Sequence, residues 1–178
     1  MEFKWNMDTM GLFARKQWGK STIIKALLKS IPKDRILILD TNREYKGYNR
    51  IIPKDFSINT LEDFFFYGRK FRNVLLVVED IDVYFDNSNA PTHTKSQMIN
   101  GSHQNLGLIY TSKRPKRIPR ILLSEATHMI IGGMVLKEDL DYIKSIIEID
   151  PEVLKKLKRY WFVHWYETGE TKLIMSKP

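Results

Sequence analysis

Residues 14–22 read Ala14-Arg15-Lys16-Gln17-Trp18-Gly19-Lys20-Ser21-Thr22. This is the relaxed phosphate-binding pattern: Ala or Gly, four free positions, then Gly-Lys-Ser/Thr. An apolar run at 10–13 precedes it and an amphipathic run at 23–31 follows. The flanks matter more than the string, because the chemistry needs a strand, a tight loop and a helix in that order. In such a loop successive backbone N–H groups converge on phosphate oxygens, and the helix N-terminus adds its positive dipole end. Every residue of 14–22 is therefore a candidate nucleotide contact. Lys20 would reach the β- and γ-phosphates, Ser21 would lend a hydroxyl to Mg²⁺, and Thr22 would meet a phosphate oxygen. The competing reading is a basic turn ahead of a helix, and the rest of the chain has to separate the two.

At 178 residues the chain has room for one domain with a real core, and residues 1–178 are read as a single domain. With no cysteine it can hold neither disulfides nor thiolate metal sites. The N-terminus lacks the layout of a signal peptide, and apolar runs such as 74–78 are too short to cross a bilayer. A soluble, cytoplasmic protein with no membrane partner is expected. The 29 Lys and Arg against 21 Asp and Glu leave a net charge of +8, which is consistent with a polyanionic partner.

From about residue 9 to 132 apolar strand-like runs alternate with helical periodicity, the signature of a parallel sheet with helices on its faces. Strands are expected at 10–13, 35–39, 73–78, 106–111 and 127–131. The first helix should show Ile24, Leu27, Leu28 and Ile31 on one face and stop before Pro32. A second should run over 60–71, with Thr60 as its N-cap and Glu62 and Asp63 in the first turn. Two more are expected at 136–147 and 151–158. Residues 161–166 and 172–175, separated by Glu167-Thr168-Gly169-Glu170, read as a closing hairpin spanning about 160–176. The polar stretch 87–101 is either a loop or a short exposed helix.

The strand at 73–78 runs straight into Glu79-Asp80-Ile81-Asp82. An apolar strand ending in two acids is the usual partner of a phosphate-binding loop. One carboxylate holds Mg²⁺ through water, and the next polarises the water that attacks the γ-phosphate. By position Glu79 takes the metal side with Ser21, and Asp80 the water-activating side. Asp82 is a third acid close enough to compete. Loop and acid pair together identify a P-loop NTPase of α/β fold, with ATP and Mg²⁺ as its implied ligands.

Two further segments narrow the family. Asp40-Thr41-Asn42-Arg43-Glu44-Tyr45, after an apolar strand, resembles the strand-Asp-polar-Glu-Tyr segment of HerA/FtsK-type ATPases. Tyr110-Thr111-Ser112-Lys113-Arg114-Pro115 is similar to that superfamily's strand ending in a polar sensor and Arg-Pro. The resemblance covers about residues 9–176. It implies a RecA/FtsK-like fold with a central, mainly parallel sheet. It also implies a homo-oligomeric ring, commonly a hexamer, that hydrolyses ATP to translocate double-stranded DNA without sequence preference. The compact length is most like the genome-packaging ATPases of double-stranded DNA viruses, archaeal ones included, with capsid proteins as further partners and the host cytoplasm or virion as location. A HerA-like cellular translocase, an assembly or secretion ATPase acting on protein, and a nucleotide switch of negligible turnover are the alternatives. Where the family often has Gln before Arg-Pro this chain has Lys113, so Ser112 or Lys113 must supply the γ-phosphate contact. Trp18 stands where a small residue is usual; its ring either points outward, stiffens the loop or covers the nucleotide.

Lys113, Arg114, Lys116, Arg117 and Arg120 leave the carboxyl end of a sheet strand, the edge where α/β sheets bind ligands. Arg114 and Arg117 are the first candidates for an arginine reaching a neighbour's site, with Arg120 behind them. Lys95, Lys116 and Arg120 are candidate DNA-phosphate contacts. Lys155, Lys156, Lys158 and Arg159 read as a solvated face. The aromatic run 64–67 reads as core packing. His93, His103, His128 and His164 lack ligand spacing.

Overall fold

A computed structural model describes residues 2–85 and 89–176. Its framework is an eight-stranded sheet of order β3-β2-β4-β5-β1-β6-β7-β8. Strands β1 (Thr9–Phe13), β2 (Ile36–Leu39), β3 (Arg50–Ile51), β4 (Val74–Val78), β5 (Leu106–Ser112) and β6 (His128–Gly132) pair in parallel. Strands β7 (Trp161–Tyr166) and β8 (Thr171–Met175) add an antiparallel hairpin at the β6 edge.

The two faces of the sheet can be read off β4. Successive side chains of a strand alternate between faces. Leu76 and Val78 join one cluster, and Leu75 and Val77 the other. The first cluster lies under α2 (Ile58–Gly68), α4 (Arg120–Ser124), α5 (Lys137–Lys144) and α6 (Pro151–Lys156). The second is covered by Ile24 and Leu28 of α1 (Lys20–Leu28), together with Trp18 and Tyr45. Burial on both faces is why β4 is an unbroken apolar run rather than an alternating one.

Several local expectations shift. Helix α2 begins at Ile58, and its cap is Ser57, whose hydroxyl accepts the Thr60 N–H at 3.3 Å. Thr60 lies inside the first turn, its own hydroxyl given to Asp55 at 2.6 Å. Glu62 caps a different helix. Its carboxylate accepts the His93 and Thr94 N–H groups at 2.7 and 2.8 Å, at the start of α3 (Thr92–Asn100). That contact draws α3 onto α2, so Thr94, Gln97 and Met98 are buried where an exposed helix or loop was expected. Residues 87 and 88 of that expectation lie outside the described residues. In the aromatic run only Phe64 and Phe65 enter the core, while Phe66 and Tyr67 are exposed. Strand β3, too short to carry a periodic signal, was not anticipated.

Candidate nucleotide site

Loop 14–19 leaves β1 and closes on the N-terminus of α1. Gly19, the residue ahead of the helix, sits at φ 104°, a left-handed conformation that side-chain-bearing residues rarely adopt. Lys20 folds back beneath the loop, its ammonium donating to the carbonyls of Ala14 at 2.7 Å and Arg15 at 3.3 Å. Burial is the main reason its pKa falls below the ordinary lysine value, with the neighbouring Asp80 opposing that drop.

Sheet order brings the acids to this loop. Strand β5 lies between β1 and β4, and all run in parallel, so their carboxyl ends share one edge. There Ser21 donates its hydroxyl to Glu79 Oε1 at 3.3 Å. Asn42, just beyond β2, donates its amide to both Glu79 Oε2 and Asp80 Oδ2 at 3.2 Å. The Lys113 ammonium, just beyond β5, meets Asp80 Oδ2 at 2.7 Å. Asp80 itself is held at φ 47°, with its N–H donated to the Thr111 hydroxyl at 2.8 Å. A cleft of about 470 Å³ opens between these groups and the loop, within the size range of small-molecule sites. Burial raises the Glu79 pKa, partly offset by hydrogen bonds that include Asn42.

Asp82 does not compete for the cleft. It is buried, its pKa raised by that burial, and its Oδ1 accepts the Lys113 N–H at 3.2 Å. Asp40 is likewise structural, accepting from Glu44 N, Tyr45 N and the Arg50 guanidinium at 2.9, 3.0 and 2.8 Å. These bonds shape the turn that aims Asn42 and Glu44 at the cleft.

The Trp18 indole turns away from the phosphate path. It is 6% exposed, and its Nε1–H donates to the Trp161 carbonyl at 3.1 Å. The backbone of β6 comes so close that a Cβ on Gly132 or Gly133 would lie 2.6 or 2.5 Å from the ring. Trp18 is thus a peg fastening the loop to β6 and β7. Trp18→Ala is expected to cost about 3–5 kcal/mol of stability, measurable by urea unfolding.

The basic segment divides. Arg114 is committed within its own chain, its Nε donating to the buried Asp139 at 2.8 Å with Glu138 at 3.7 Å. Arg120 donates to the Ser145 carbonyl at 3.2 Å. The Lys116 ammonium lies 5.2 Å from the Tyr142 ring centroid. Arg117 is exposed and has no side-chain partner among the described residues, and Lys95 is exposed on α3. Asn42, Glu44, Arg159 and Tyr160 line the cleft but escaped sequence reasoning. Asn42 and Glu44 lay inside a segment already singled out, whereas nothing local distinguished Arg159 from its basic neighbours. His128 is buried at the start of β6, at the end of the strand away from the phosphate loop, and is hydrogen-bonded to His164 at 3.1 Å and Asp8 at 3.2 Å.

No protein-family profile matches the chain, and no curated protein does. Solved structures do. The genome packaging NTPase B204 from Sulfolobus turreted icosahedral virus 2, in complex with ATP-γS, aligns at TM-score 0.82 over 99% of both chains with 21% identity. B204 described as the DNA-packaging ATPase from Sulfolobus turreted icosahedral virus aligns at 0.76 over 96% of this chain and 97% of that one, with 20% identity. The pCW3 conjugation coupling protein TcpA, with ATPγS, aligns at 0.71 with 13% identity, covering 99% of this chain and 62% of its own. The chain therefore shares the fold of B204: a mostly parallel sheet flanked by helices and closed by a C-terminal hairpin.

Proposed function

We propose that this chain, acting as one ATPase domain, is an ATP-hydrolysing motor that moves double-stranded DNA and packages a viral genome. The observation that carries the reading is the convergence of three strand ends on one cleft. Lys20 lies under the loop, Ser21 is joined to Glu79, and Lys113 is joined to Asp80.

The loop amides and Lys20 hold the β- and γ-phosphates. The Ser21 hydroxyl and the Glu79 carboxylate suit Mg²⁺, which prefers oxygen ligands and usually binds through one or two carboxylates plus phosphates. The raised pKa of Glu79 fits the same role, since a buried carboxylate short of positive charge gains from a cation. When bound, the ion neutralises charge developing on the phosphate oxygens. Asp80 accepts a proton from the attacking water as the new P–O bond forms and the bond to the β–γ bridging oxygen breaks. Lys113 leaves Asp80 for the γ-phosphate, freeing the carboxylate for that proton.

The chains work as a homo-oligomeric ring, a hexamer being common in the family the sequence resembles, with capsid proteins as further partners and the host cytoplasm or virion as the setting. Among the described residues no helix is long and apolar enough to cross a membrane. Arg117, exposed and unpartnered among the described residues, is the better candidate to enter a neighbour's site; Arg114 would first have to abandon Asp139. Lys95, Lys116 and Arg120 supply contacts to DNA phosphate, which suits a motor indifferent to base order.

Duplex DNA of any sequence is expected to stimulate ATP hydrolysis, and the stimulation should weaken steeply with salt as counterions compete. Arg117→Ala should lose about 10³-fold in rate or more, and regain it when mixed with Lys20→Ala subunits that keep Arg117. Failure of that mixing experiment removes the arginine supplied in trans. Stimulation by no duplex at all would move the cargo from DNA to protein.

A further inference from the structure

The cleft has two ends, and the acids occupy only one. In the sheet, β4 and β5 lie on one side of β1, while β6 and β7 lie on the other. A triphosphate whose γ-end faces Glu79 and Asp80 must run across the loop and leave on the β6–β7 side. This direction rests on the nucleotide reading given above.

At that exit stand Arg159 and Tyr160, immediately before β7. Because β7 is antiparallel, with Phe162 paired to Gly132, its first residues return to the same sheet edge as the loop. Both residues line the cleft. The Arg159 Nε–H donates to the Gln17 carbonyl at 3.2 Å, and its guanidinium carbon lies 4.8 Å from the Tyr160 ring centroid. Tyr160 holds a left-handed backbone at φ 70°, and its carbonyl accepts the Ser176 N–H at 2.8 Å. Its ring edge and Ser176 sit so close to Gly19 that a Cβ there would lie 3.3 Å from the ring and 2.7 Å from the Ser176 hydroxyl. The C-terminal hairpin therefore fixes a planar cation, stacked on an aromatic ring, against the phosphate loop.

We propose that Arg159 and Tyr160 form the nucleobase platform of this site. Guanidinium planes and aromatic rings both stack on bases, and such stacking accepts any base because every base has a π-face. Trp18 cannot serve instead, since its ring is buried against Gly132 and Gly133. The ligand class follows: a nucleoside triphosphate held at one end by phosphate and at the other by its aromatic base.

The test compares Mg-ATP with Mg-tripolyphosphate, which carries the phosphates and no base, by calorimetry on the full chain. Arg159→Gln and Tyr160→Ala should each weaken ATP binding roughly tenfold, the scale of a stacked base, with tripolyphosphate affinity unchanged. Tyr160→Phe, which keeps the ring, should recover most of the loss seen with alanine. Equal weakening of both ligands would overturn the platform and make the pair phosphate contacts. No change in either would overturn it too. A wild-type chain that binds neither ligand would instead defeat the phosphate-loop reading beneath it, so the two failures are told apart.

Discussion

Lys20→Ala should abolish tight nucleotide binding, lowering affinity by about 100-fold or more. A buried ammonium facing phosphate makes charge-assisted hydrogen bonds, and truncating one partner of such a contact costs about 2–5 kcal/mol. Lys20 has no obvious substitute. Lys16 lines the cleft from the loop, but only Lys20 reaches beneath it to the Ala14 carbonyl. Burial also lowers the Lys20 pKa, so the free protein gives up its ammonium charge at a lower pH than an ordinary lysine would. Affinity for ATP should therefore decline toward alkaline pH earlier than lysine's usual value dictates. Calorimetric titration with a non-hydrolysable analogue across pH measures both effects, and an unchanged affinity in Lys20→Ala would remove the loop from the site.

Asp80→Asn should leave that affinity nearly intact and reduce turnover by about 10²–10⁴-fold, the usual contribution of a positioned general base. Asparagine keeps the size of the side chain and loses its capacity to take a proton. The choice of Asp80 over Glu79 rests on what each carboxylate touches. Glu79 shares its Oε1 with the Ser21 hydroxyl at the helix start, whereas Asp80 is joined to Lys113 across the cleft. Glu79→Gln should accordingly weaken the Mg²⁺ dependence of binding, and Asp80→Asn should not. Single-turnover hydrolysis beside binding measurements separates the two substitutions. If Asp80→Asn lost Mg²⁺-dependent binding while Glu79→Gln bound normally without turning over, the two roles would have to be exchanged.

Asn42 bears on the same assignment. One amide nitrogen reaches both carboxylates at 3.2 Å, so it holds two like charges side by side at a fixed spacing. Neither composition nor periodicity marks that residue. Its position is set by Asp40, which clamps the turn with three hydrogen bonds.

Features made by contiguous residues were legible along the chain. A phosphate cradle is built from consecutive amides, so 14–22 announces itself as a string, and a strand buried on both faces announces itself as an unbroken apolar run such as Val74–Val78. The acid pair follows that run directly and so comes with it. Helix caps were less secure, because Ser57 and Thr60 both offer hydroxyls; Ser57 is the cap because its backbone is extended ahead of the helix and its hydroxyl accepts the Thr60 N–H. What only the folded chain decided was direction and partnership. Arg114 meets Asp139 from 25 residues away, and Arg159 meets Gln17 from 142 residues away. The Trp18 ring finds its slot in the two glycines at the end of β6 and its hydrogen-bond partner at the start of β7. Such pairings depend on strand order, and hydrophobic periodicity records whether a residue is buried without recording which neighbour it is buried against.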